Sequence, residues 1–212
     1  MRRGRRLRGE RGAAAVEAAL VTPVLLLMVF GIIEMAFLMK DNVAVASATR
    51  VGARIASAQP AAEVQPCTGE DAATVCVAGS VPGFVQAAAS AMRTNGSAIP
   101  SEQIDEIWVY DANLDGLPGT ATTMDDATCA TRCVRFIWST SANTFLYRGP
   151  GRWSEVAADP CLTAGKRVGV RLITQHPWVV GFDLWPGFPD SLQVDDHAVM
   201  SFEPLAIETC RG

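Results

Sequence analysis

Histidine is nearly absent from this chain of 212 residues, which carries only His176 and His197. It also lacks a G-x-S-x-G nucleophile elbow, an H-E-x-x-H zinc pair and a phosphate-cradling glycine loop, so the common nucleophilic, zinc-dependent and phosphoryl chemistries have no residues to run on. Neither enzymatic activity nor a bound cofactor is expected. No basic stripe follows the first dozen positions, which removes the electrostatic footprint of a nucleic-acid binder. No cysteine precedes Cys67, and neither an internal repeat nor a long low-complexity tail is present.

What is present is strongly polarised along the chain. Arg2, Arg3, Arg5, Arg6, Arg8 and Arg11 all fall in the first twelve residues, against Glu10 alone, although the net charge is −4. The run AAAVEAALVTPVLLLMVFGIIEMAFLM, residues 13–39, is then apolar except for Glu17 and Glu34. At ~1.5 Å per helical residue it exceeds the ~30 Å hydrocarbon layer of a bilayer. Positive charge stays on the cytoplasmic side, so the arginines place the N-terminus inside and the remainder outside. The expected organisation is an Arg-rich cytoplasmic tail or candidate leader over 1–12 and a transmembrane helix over 13–39. A helical continuation over 40–59 and one extracytoplasmic domain over 60–212 follow.

No helix breaker other than Gly52 occurs between Asp41 and Pro60, which predicts a single helix from about Ala13 to Ala58. Ala44, Ala48, Gly52 and Ala56 recur at every fourth position, a small-residue stripe suited to close approach by another helix or by the chain's own domain. Arg50 and Arg54 form a second row that reads as a solvated face. Residues 60–80 read as a disulfide-pinned connection, and a short helix is expected over Phe84–Arg93, ending at Asn95 and Gly96. The segments 104–110, 133–138, 167–174 and 194–204 are rich in β-branched and aromatic residues and read as strands. The fold expected is α+β: a long N-terminal membrane-spanning α-helix packed on a small antiparallel sheet in a disulfide-stabilised ectodomain.

Cys67, Cys76, Cys129, Cys133, Cys161 and Cys210 all follow the apolar run, in the compartment where disulfides persist. Up to three bridges are expected with the pairing open, the short Cys67–Cys76 loop being the tempting local pair. A zinc site beginning at Cys129 and Cys133 lacks companion ligands at the right spacing. Asp111, Asn113, Asp115 and Gly116 match the opening of a calcium loop, but Thr122 stands where the closing glutamate belongs, so a turn is favoured over calcium, with Asp125 or Asp126 available to an irregular site. Trp108, Trp138, Trp153, Trp178 and Trp185 read as packing residues before they read as a sugar-binding surface. His176, before Pro177 and Trp178, reads as structural.

The stretch RGERGAAAVEAALVTPVLLLMVFGIIEM resembles the N-terminus of the TadE-like family, pseudopilin-related proteins of the tight-adherence (Flp) pilus system. Gly12, Glu17, Pro23, Gly31 and Glu34 fall where the family pattern has them, and ASATRVGARIASA is similar to the family's Ala-rich helix. VGVRLITQHPW and MSFEP look like its last strands. The resemblance covers roughly residues 9–58 and, more loosely, 168–204. It departs from the family at Ala18, where an aromatic residue is common, and in its six cysteines. The resemblance implies a peptidase cut between Gly12 and Ala13 that would leave Glu17 at the fifth mature position. It also implies pilin-like subunits, a secretion platform, an assembly ATPase and a prepilin peptidase as partners.

The chemistry of the residues points to the same places, because an intramembrane carboxylate is costly without a partner. In the resemblance Glu17 pairs with the N-terminal ammonium of a neighbouring subunit, whereas Glu34 reads as a side chain snorkelling to the interface. The two lie ~25 Å apart and about 100° apart around the helix, which excludes a catalytic dyad. Pro23 removes one helical hydrogen bond and offers a weak point in the span. The function expected is that of a minor pilin or pilus-assembly protein. The alternatives are a membrane-tethered domain binding calcium or a surface ligand, and a secreted protein released after Ala44, Val45 and Ala46.

Overall fold

The computed structural model describes residues 7–58, 83–95, 99–124, 127–129, 132–141, 144–147, 166–181, 187 and 189–203. Helix α1, Leu7–Ala58, runs through Pro23 without interruption. It begins six residues before the apolar run because Leu7, Arg8, Glu10 and Arg11 are themselves good helix formers. Helix α2 is Gly83–Asn95. Five strands follow: β1 Ile104–Ala112, β2 Cys133–Ser139, β3 Thr144–Tyr147, β4 Arg167–Pro177 and β5 Ser191–Ser201. The chain divides into two compact units, one holding α1 up to Lys40 with Trp178–Asp190, the other holding Asp41–Pro177 with Ser191 onward.

In the first unit every residue of α1 from 12 to 30 is exposed. Leu20, Val24, Leu27 and Ile32 are 72%, 57%, 54% and 71% exposed. An apolar helix with no buried face is the pattern of a segment whose solvent is lipid. It is the one described helix long and apolar enough to cross a membrane.

In the second unit the same helix changes character. Val45, Ala48, Thr49, Ala53 and Ala56 are fully buried, while Arg50 and Arg54 remain exposed. This settles the stripe of Ala44, Ala48, Gly52 and Ala56, which faces its own domain and is not open to another subunit. Gly52 is there because a Cβ would lie 2.6 Å from Cγ of Met92 on α2. The expectation of subunit contact along this stripe is therefore corrected.

The sheet has the order β3-β2-β1-β4-β5, with every neighbouring pair antiparallel. Period-two alternation sorts its side chains onto two faces. Ile107, Val109, Val134, Phe136, Val168, Val170 and Leu172 share one face by register and are buried. Met200 lies on that face, and its Sδ is 4.0 Å from Ser57 Oγ at the end of α1. Trp108, Tyr110, Cys133 and Ile173 share the other face and pack with Ala112, Ala127 and Cys129. Cys129 and Cys133 form a disulfide, which removes them from any zinc site. Across this face Arg171 stacks 5.0 Å above the Trp108 ring and is bonded to Asp195 at 2.7 Å and to the Met124 carbonyl at 3.2 Å.

Two strands differ from expectation. β3 is not among the four expected strands; Thr144–Tyr147 is only four residues long and lies at the sheet edge. β5 begins at Ser191 and ends at Ser201, offset from the expected 194–204. Cys67, Cys76, Cys161, Cys210, Trp153, Trp185, Asp125 and Asp126 lie outside the described residues.

Candidate functional site

The two carboxylates of the apolar run have opposite surroundings. Glu17, one helical turn beyond Ala13, is exposed and has no hydrogen-bond or ionic partner among the described residues. Glu34 is 4% exposed. Its Oε1 and Oε2 each accept the Val179 backbone N–H at 3.2 Å, and Oε2 also accepts that of Val180 at 3.1 Å. To the reading of Glu34 as an interfacial side chain the structure adds a partner: it binds the segment that leaves β4.

This arrangement meets two needs together. A carboxylate on an apolar helix is stabilised when backbone donors replace water. The amides of Val179 and Val180 lie just beyond Pro177, where the β4–β5 ladder begins with Pro177 opposite Ser191, and so have no strand partner. Trp178 Nε1 donates to the Pro189 carbonyl at 2.7 Å and ties the two ends of the segment. Nothing in the local sequence announces the Glu34 contact, since its donors are main-chain groups 145 residues away.

The other expected residues take simpler places. Gly12 and Ala13 are exposed on α1, and a Cβ at either Gly12 or Gly31 would meet nothing within 4 Å. Pro23 lies in the exposed stretch of the helix. His176, read as structural, pairs through Nδ1 with Asp41 Oδ2 at 2.6 Å inside the second unit.

The calcium reading of Asp111, Asn113 and Asp115 is overturned by the use made of their atoms. Asn113 Oδ1 accepts the N–H groups of Asp115 and Leu117, both at 2.9 Å, while its Nδ2 donates to the Gly119 and Ala121 carbonyls. Asp111 is paired with Arg132 at 2.9 Å. Arg132, Lys166 and Arg167 line the cleft beside them, and such a collection of cations repels a divalent metal. No group of three or more metal-ligating side chains occurs among the described residues.

A helix whose apolar residues 12–30 are exposed on every side, bearing one carboxylate bonded to backbone amides and one without a partner among the described residues, continues into a small antiparallel α+β domain. Among the described residues this helix is the one candidate membrane span, as a membrane-anchored protein requires. Residues 12–54 match the family model of the TadE-like protein, covering the exposed part of α1 and most of its buried continuation, so over this segment the chain is similar to that family. The match implies a role related to Tad pilus systems and association with their components. No curated protein and no solved structure matches the chain.

Proposed function

We propose that this protein is a non-enzymatic minor pilin or pseudopilin-like subunit that acts in the assembly or structure of a tight-adherence (Flp-type) pilus. It sits N-terminus inward, with its sheet domain outside the cytoplasmic membrane. The observation that carries this reading is the open carboxylate of Glu17 within the segment that matches the TadE-like family. A carboxylate in an apolar helix that no described residue of its own chain pairs is stabilised by a cation from elsewhere. Cleavage after Gly12 supplies such a cation, the ammonium of Ala13, four residues from Glu17 and on the corresponding terminus of every sister subunit. Pairing between subunits then fixes their axial register as they leave the membrane. The partners are pilin-like subunits, the secretion platform, its ATPase and a prepilin peptidase.

The rival reading, a tethered domain binding calcium, loses its support because Asn113 and Asp111 are spent on the turn. Two measurements test the proposal. The N-terminus of protein purified from native membranes is expected at Ala13. Glu17→Ala is expected to leave the protein inserted and stable while abolishing pilus formation, and normal pili from that variant would refute the role assigned to Glu17.

A further inference from the structure

We propose that the residues leaving β4, Trp178–Gly181, make a second membrane contact: an interfacial loop segment that lies in the outer leaflet and is held at its depth by Glu34. The inference deepens the membrane-anchored reading and rests on it. Glu34 precedes the last apolar residue of the run, Met39, by five positions, or about 7 Å along a helix, which puts its carboxylate at the boundary between hydrocarbon and headgroups. The Val179 and Val180 amides bonded to that carboxylate are therefore at the same depth.

Irregular backbone survives at such a depth only where its polar groups are met by protein. Glu34 meets these amides, and Trp178 Nε1 closes on the Pro189 carbonyl across the segment. The Val179 side chain meanwhile is 58% exposed, and Trp178 and Val180 are partly exposed. In sequence these residues open the stretch WVVGFDLWPGFPD, with two tryptophans and two phenylalanines, the composition of an aromatic interfacial belt. Asp190, exposed where the chain returns to β5, carries a charge that disfavours the hydrocarbon centre. Val179 and the exposed apolar residues of α1 belong to one compact unit. Lipid, not another protein, is thus the occupant.

The test uses the full-length protein in phosphatidylcholine vesicles whose acyl chains are brominated either near the headgroup or near the bilayer centre. Shallow bromines are expected to quench part of the tryptophan emission more strongly than deep ones. Trp178→Phe should remove much of that quenched component, and Val179→Trp should enlarge it, a gain that does not depend on losing a side chain. Glu34→Ala should release the loop and lose the shallow quenching, whereas Glu34→Gln, which keeps one acceptor oxygen, should retain more of it. Flotation with the vesicles after alkaline carbonate extraction reads the helix separately. Protein that floats but shows no shallow quenching overturns the loop contact and leaves the span standing. Protein that fails to float overturns both.

Discussion

Asp41 and His176 meet at 2.6 Å between Oδ2 and Nδ1, and their side chains are only 13% and 3% exposed. One residue opens the part of α1 that belongs to the sheet-bearing unit, and the other lies near the end of β4, so the bond fastens helix to sheet within that unit. Replacing Asp41 with alanine leaves a buried imidazole N–H short of its acceptor, at a cost of about 1–3 kcal/mol. Asp41→Asn keeps an amide oxygen that can accept the same proton and should lose less. Denaturant titration of the detergent-solubilised protein, followed by tryptophan emission, measures both. Equal losses would show that the contact contributes by packing and not by hydrogen bonding.

Gly52 and Met92 make a second connection that a single methyl group would disturb. A Cβ at position 52 would stand 2.6 Å from Met92 Cγ and 2.9 Å from Sδ. Overpacking of this kind costs about 1–3 kcal/mol, against about 1 kcal/mol gained when alanine replaces a mid-helix glycine. Gly52→Ala is therefore expected to be mildly destabilising and Gly52→Leu severely so. Adding Met92→Ala should cost less in the Gly52→Ala background than in the native one, a coupling that a double-mutant cycle reads directly.

The sequence carried the elements better than their partners. Alternation in IDEIWVY and the apolar density of RVGVRLIT exposed the central strands, since both faces of the sheet are covered there. The breaker-free run to Ala58 exposed the long helix. The four residues of β3 are too few to show a period, and an edge strand has less burial to enforce one. The alanine stripe had two equivalent readings because close packing asks for small residues whoever the neighbour is, and only the position of Met92 decides. The Glu34 contact was hidden for a deeper reason: its partners are backbone amides, which every residue but proline possesses, so no pattern in the chain could name Val179 and Val180. At Asn113 the motif was visible while the direction of its oxygen was not.

Tyr110 and Gly169 stand opposite each other on β1 and β4, and the tyrosine ring fills the space where a side chain on Gly169 would be. Its hydroxyl donates to the Gly116 carbonyl at 3.1 Å. Burial pushes the Tyr110 phenol well above its ordinary range, with the nearby Arg171 charge opposing the shift in part. The native state therefore holds this proton after the unfolded chain, whose tyrosine titrates near pH ~10, has lost it. Stability from this group is complete below that pH and declines as pH rises toward the folded value, because the unfolded state then binds fewer protons. Tyr110→Phe should flatten the alkaline decline in the unfolding midpoint, and an unchanged slope in that variant would assign the decline to other groups. Gly169→Ala should destabilise at every pH, since the ring it meets is fully buried.

Asn113 organises the turn after β1 with both ends of its amide, and the two halves can be separated by substitution. Its oxygen accepts two N–H groups at 2.9 Å, and its nitrogen donates to two carbonyls at 3.2 Å and 3.3 Å. Asn113→Asp preserves the acceptor and removes the donors; Asn113→Ala removes everything. With a net contribution of ~1 kcal/mol for a typical hydrogen bond, alanine should cost about 2–3 kcal/mol and aspartate less. Millimolar calcium should leave the native midpoint unmoved, because a ligand that binds only the folded state must raise it, and the oxygen a metal would need already faces Asp115 and Leu117. The aspartate variant sharpens the comparison, since it adds the negative charge a calcium loop uses beside Asp111 and Asp115. A calcium-dependent rise in the native protein would restore the metal site, whereas a rise confined to Asn113→Asp would show that the turn's geometry suits the ion and the native side chain excludes it.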